Sequence, residues 1–158
     1  MKEELPVMNA LLSWKQVIGR FDKILAELSD EQLQKQVAPG RNRLFYLLGH
    51  LTAVHDRLFA LLGVGERLHA ELDAAFISKP DGAAADPISA AELRKAWAEV
   101  NSKLTAALER FSSEEWLAKH TAVSDEEFAQ DPTRNRLAVV LSRTNHLSFH
   151  TGQMVLAK

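Results

Sequence analysis

The 158-residue chain contains no cysteine. Disulfides, thiolate metal sites and a cysteine nucleophile are therefore excluded, and any metal must be held by His, Asp, Glu or water. No stretch reaches the roughly 18 consecutive apolar residues that a membrane-crossing helix needs. A surplus of positive charge is also missing: Lys plus Arg number 19 against 21 Asp plus Glu, for a net charge of −2. That balance leaves no electrostatic footprint for nucleic acid or an anionic membrane, and favours a small neutral or mixed-charge ligand. From Met1 to Leu12, acidic residues precede the apolar ones and a proline stands at position 6, unlike the basic and then apolar regions of an export signal. A soluble cytoplasmic protein is expected, folded as one domain over residues 1–158, a length that buries a core without staples.

What is present is helical periodicity. Between Pro6 and Leu28, Val7, Leu11, Trp14, Ile18, Phe21, Leu25 and Leu28 recur at threes and fours, with the proline suited to a first turn. A second long helix is predicted from about Asn42 to Leu62, apolar around more than one stripe and hence deeply buried. A third opens at the capping box Ser89-Ala90-Ala91-Glu92 and carries Leu93, Trp97, Val100, Leu104, Leu108 and Phe111. A fourth is predicted to start at Asp131-Pro132, as cap and first-turn proline, and to run toward Ala157. Further boxes at Ser29-Gln32, Ser112-Glu115 and Ser124-Glu127 mark short connector helices, and a helical turn is expected within Glu66 to Phe76. Arg41-Asn42-Arg43-Leu44 and Arg134-Asn135-Arg136-Leu137 echo one another ahead of the second and fourth helices. The chain thus reads as two helix-connector-helix halves, one way to build a four-helix bundle whose sites form between facing helices.

Two candidate motifs fail on their own terms. Gly63-Val64-Gly65 has no third glycine and no preceding strand, so it ends a helix and cradles no phosphate. Glu66-Arg67-Leu68-His69 has the spacing of a di-iron carboxylate bundle, but such sites need a second unit that the chain lacks; His69 is expected to be an exposed helical residue.

The histidines of the fourth helix carry more. His146 and His150 are spaced i and i+4 on one face, with Cβ atoms about 6 Å apart, close enough to close on one metal ion. His50 sits mid-way along the second helix among leucines, where an unpaired imidazole would lose its hydration. It is either a core residue bonded to a backbone carbonyl or a third ligand. His55, about 140° further round the same helix, cannot easily serve that site and is expected to pack or lie at the surface. Arg57 and Gln153 fall on the histidine stripes, where they either orient a substrate or solvate the rim of a cleft. His120 lies in an irregular stretch and receives no role.

Leu48-Gly49-His50-Leu51 in the second helix, together with Asn145-His146-Leu147-Ser148-Phe149-His150-Thr151-Gly152-Gln153 near the end of the chain, resembles the DinB-like family of four-helix bundles regarded as metal-dependent enzymes. Ala38-Pro39-Gly40 also resembles that family's connector. The resemblance implies an all-α four-helix bundle with short connector helices and a divalent ion, zinc or nickel, on His50, His146 and His150. It also implies a homodimer and a small-molecule activity of hydrolase or thiol-dependent transferase type; no catalytic residue is assigned. Three neutral imidazoles leave an open position at which a water is acidified or a thiolate or carbonyl is bound. Without cysteine, thiol chemistry would use a diffusible low-molecular-weight thiol as cosubstrate. The alternative is a non-catalytic dimeric bundle with a binding or interaction role in stress response, its histidines being core residues or adventitious ligands.

Overall fold

Why the four apolar stripes become a bundle is clearest from α3, whose burial is nearly complete round its circumference. A computed structural model describes residues 4–158; the first three residues of the expected domain and of the N-terminal reading lie outside the described ones. The elements are α1 (Glu4–Glu27), α2 (Asp30–Leu33), α3 (Leu44–Leu62), a 3₁₀ turn (Ala70–Leu72), α4 (Asp73–Phe76), α5 (Ala90–Leu108), α6 (Ser113–Leu117), α7 (Asp125–Gln130) and α8 (Arg136–Ala157). Among the described residues there is no strand, only isolated antiparallel bridges Gln36–Arg43 and Lys119–Asn135. These bridges stand just ahead of α3 and α8, so the sequence echo has a structural counterpart. No helix among the described residues is long and apolar enough to cross a membrane.

The α3 helix packs on α5, α8 and the short helices, while α1 lies along α8. Leu44, Leu48, Leu51 and Leu62 of α3 are fully enclosed, each burial contributing about 1.5 to 3 kcal/mol. One core cluster joins Phe21, Leu48, Phe76, Trp97, Leu147 and Met154. A second joins Val7, Trp14, Leu58, Leu104, Trp116 and Val140. The order of these partners makes α8 run parallel to α1 and against α3. Lys158 meets Glu27 where α1 and α8 end together. Two of the indoles enter the core with their N–H groups satisfied: Trp14 donates to the Thr105 hydroxyl at 3.0 Å and Trp97 to Asp22 at 2.7 Å.

The ends of the helices follow local chemistry. All four Ser boxes form, each hydroxyl accepting from the N3 amide and each N3 side chain accepting from the cap amide. Gly63 terminates α3 in the left-handed conformation at φ 67°, where its amide and that of Val64 bond back to Ala60 and Phe59. The predicted start of the fourth helix is corrected: Asn135 caps α8 by accepting from the Ala138 amide at 2.9 Å. The Asp131 carboxylate is instead engaged by the amide and hydroxyl of Thr133. A side chain already bound to its own turn cannot cap the helix that follows. His69 is also corrected; it precedes the 3₁₀ turn, half-buried, and faces Glu71 and Glu99.

Two ion-pair clamps fix the segment between α3 and α5. The Asp56 carboxylate, fully buried, accepts from the Leu68 amide at 2.7 Å and from Arg67 at 2.9 Å. Arg43 holds Asp81 and Asp86 with short bonds of 2.6 and 2.8 Å, and Tyr46 donates to the carbonyl of Lys79. Between these clamps, α4 is pressed onto α3 beside His50.

Candidate metal centre

The fold brings together three of the six histidines. His50 of α3 and His146 and His150 of α8 place their Nε2 atoms toward one point, with His146 Nε2 at 3.3 Å from His50 Nε2 and 3.1 Å from His150 Nε2. Ligand atoms of all three lie within 4.8 Å of one another, an arrangement that could hold a metal ion. Tetrahedral coordination at 2.0–2.1 Å spaces ligand nitrogens by about 3.3 Å, close to the two separations that His146 makes with His50 and His150.

The outer nitrogens make the case chemically. His50 Nδ1 lies 3.0 Å from the carbonyl of Phe76, which can only accept; the proton is therefore on Nδ1, and Nε2 of the neutral ring carries a lone pair. That carbonyl is available because it belongs to the last turn of α4, where no intrahelical donor remains. Gln153 turns its amide oxygen to His150 Nδ1 at 2.7 Å and fixes the second ring in the same tautomer. Two lone pairs thus face His146 Nε2, which as a donor could satisfy only one of them. His146 Nδ1 is buried with no partner among the described residues. Three ring nitrogens converging this way are mismatched as a hydrogen-bond network and well matched to a cation.

Electrostatics keep the rings in the ligating form. Burial first, then the neighbouring His150 and His50 and the charge of Arg143, push His146 down to about 4. Burial also lowers His150, against the opposing effect of Gln153. Both are neutral at pH 7, as a metal ligand must be.

Gly49 explains how α4 comes so near. A Cβ at this position would meet the Phe76 ring at 2.3 Å, so the absence of a side chain lets the phenyl rest on the α3 backbone while the carbonyl of the same residue faces His50. On one side of the trio opens a cleft of about 580 Å³ reached by Ala38, Gly40, Leu47, His150 and Gln153. On the other lies one of about 480 Å³ lined by Val54, Arg57, Leu61, Thr121 and Arg143.

His55 takes no part. It is enclosed between Trp14 and Trp97, its Nδ1 is 2.6 Å from Asn101 Oδ1, and burial pushes it to about 4 despite that bond. Packing, one of the two expectations for it, is what the structure shows. His69 and His120 also lie outside the trio. Gln153 orients a histidine. Arg57 is bound by Asp73 at 2.7 Å, and Asp73 is held down to about 2 by Arg67 first and Arg57 second, against its own burial. Sequence reasoning missed the Phe76 carbonyl and Arg143. The first has no sequence signal. The second had one: three residues before His146, it lies about 60° round the helix, on the edge of the histidine stripe.

The fold and these three imidazoles define a helical bundle with a candidate site for a metal ion between two of its helices. The family model of the DinB superfamily matches residues 13–154, and the chain belongs to that superfamily. No curated protein matches the sequence.

Proposed function

We propose that the protein is a cytoplasmic metal-dependent enzyme acting on a small molecule, of hydrolase or thiol-dependent transferase type, its one domain holding zinc or nickel on His50, His146 and His150. The observation that carries this reading is the meeting of three imidazole Nε2 atoms at 3.1 and 3.3 Å, with two of the rings held from behind by Phe76 and Gln153. When bound, a divalent ion there supplies Lewis acidity toward a carbonyl, a water or a thiolate. The protein's own contribution is to flank the site with Tyr46 and Phe149, whose rings lie 6.4 and 5.1 Å from His50 and His150, and to fix the imidazoles so that little reorganisation is needed. With no cysteine in the chain, a thiol would arrive as a diffusible cosubstrate.

Metal analysis of untagged protein after dialysis tests the reading. One ion per chain is expected, lost in His50→Ala and in His146→Ala; full metal in either variant, or variable traces in the wild type, would instead favour a non-catalytic bundle. Screening the metal-loaded protein with low-molecular-weight thiols and with ester and amide substrates then separates transferase from hydrolase. We further propose a homodimer formed through α1 and α8, which expose the large apolar side chains Leu5, Met8, Leu12, Phe149 and Leu156, residues of the kind that gather at interaction sites. Light scattering should give twice the chain mass, and Leu12→Lys with Phe149→Lys should give one chain mass.

A further inference from the structure

The cleft of about 480 Å³ beside the trio carries three guanidinium groups, Arg57, Arg67 and Arg143. Two are matched by carboxylates. Arg57 bonds Asp73, and Arg67 bonds Asp73 and Asp56. Arg143 has no ion-pair or hydrogen-bond partner among the described residues, and its Nε is buried without one. Three cations against two carboxylates leave a formal +1, and that charge resides on Arg143.

Its position is tied to the histidines. Arg143 precedes His146 by three residues on α8 and Val54 follows His50 by four on α3, so the cleft begins about 5 Å, one helical turn, from the trio. Arg143 also borders the adjoining hollow that includes His120 and Ser142, so its guanidinium stands between two hollows. Val54, Leu58 and Leu61 form an apolar wall opposite the charge. Burial, and then the like charge of Arg57, lower the pKa of Arg143; keeping the cation there costs free energy that a bound anion would offset.

We propose that Arg143 seats the anionic end, a carboxylate or phosphate, of the small amphipathic molecule whose reactive group is handled at the histidine site. The substrate class rests on the function proposed above, while the seat itself does not. A guanidinium with free N–H groups binds a carboxylate or phosphate through paired, charge-assisted bonds, which a point charge does less well. The apolar wall would take the rest of the molecule, and the distance of about one turn would bring its far end to the trio.

Titration calorimetry with benzoate and with inorganic phosphate tests the seat, on zinc-loaded and on chelator-treated protein. Arg143→Gln is expected to weaken the tighter of the two probes by about tenfold or more in both forms. Arg57→Gln, whose parent side chain is already held by Asp73, should change it by less than about threefold. Arg143→Lys retains the charge without the fork and should fall between wild type and Arg143→Gln; it also provides a reading should the glutamine variant fail to fold. The probe that binds more tightly names the anion as carboxylate or phosphate. Wild-type affinity in Arg143→Gln and Arg143→Lys would overturn the seat, and so would an equal loss in Arg57→Gln, which marks a diffuse positive field. Because the chelator-treated arm needs no ion, loss of the metal reading with Arg143-dependent binding intact would refute the proposed function and leave the seat standing.

Discussion

Replacing Gly49 by alanine adds one methyl group, and the structure fixes where it would go. Its carbon would lie 2.3, 2.4 and 2.6 Å from Cδ1, Cε1 and Cγ of Phe76, well inside van der Waals contact, so the ring or the helix beneath it must move. Phe76 is fully packed in the first core cluster and cannot swing into solvent without opening a cavity. Overpacking of this kind costs about 1 to 3 kcal/mol, while the gain in helix propensity from glycine to alanine returns about 1 kcal/mol. A net destabilisation of up to about 2 kcal/mol is expected in urea unfolding of the metal-free protein. The same displacement carries the Phe76 carbonyl away from His50 Nδ1, now 3.0 Å distant, and loss of such an outer hydrogen bond weakens metal binding by about 10- to 100-fold. Zinc affinity should be measured by competition with a chelator. Gly19 and Gly152, also helical, have nothing within 4 Å of a built Cβ, so alanine at either should be neutral or stabilising by up to about 1 kcal/mol with unchanged zinc affinity. A Gly49→Ala protein as stable as the Gly152→Ala control, with zinc affinity within about twofold of wild type, would refute the reasoning.

Three further outcomes follow from the same geometry. Gln153→Ala should leave the fold intact and weaken zinc binding by about tenfold or more, since His150 Nδ1 loses its partner at 2.7 Å; chelator competition beside a thermal melt checks both halves. In the metal-free protein, His55 is lowered from 6.5 to about 4, so the unfolded chain binds the extra proton and stability falls as pH drops from about 6.5 to about 4. That window is worth up to about 3 kcal/mol from His55, and unfolding of His55→Gln followed against pH should show a correspondingly shallower fall. Asp56→Ala should cost about 3 to 5 kcal/mol in urea unfolding, because it strips both the Leu68 amide and the buried edge of Arg67 of their acceptor.

The long helices were legible because their cores are written in local spacing: Leu93, Trp97, Val100, Leu104 and Leu108 need only the 3.6-residue period to be placed on one face, and all are buried. The four Ser boxes were legible for the same reason, since cap and partner lie three residues apart. The start of α8 was not, because Asp131 and Asn135 are both good caps by composition and only the turn at Thr133 decides between them. For His50, the two sequence readings prove to be one arrangement: Nδ1 meets a backbone carbonyl and Nε2 meets the other histidines. What could not be read was long-range pairing. That Asp73 takes Arg57 and leaves Arg143 unmatched depends on α4 lying against α3, and no local spacing encodes it.

X-ray absorption at the zinc edge of the loaded protein bears most directly on the claim that three imidazoles from α3 and α8 share one ion. The expected spectrum is an average of three histidine nitrogens at about 2.0 to 2.1 Å, with the multiple scattering of imidazole, falling to two in His50→Ala protein loaded with excess zinc. A wild-type spectrum with one histidine or none, or one unchanged by that substitution, would contradict it.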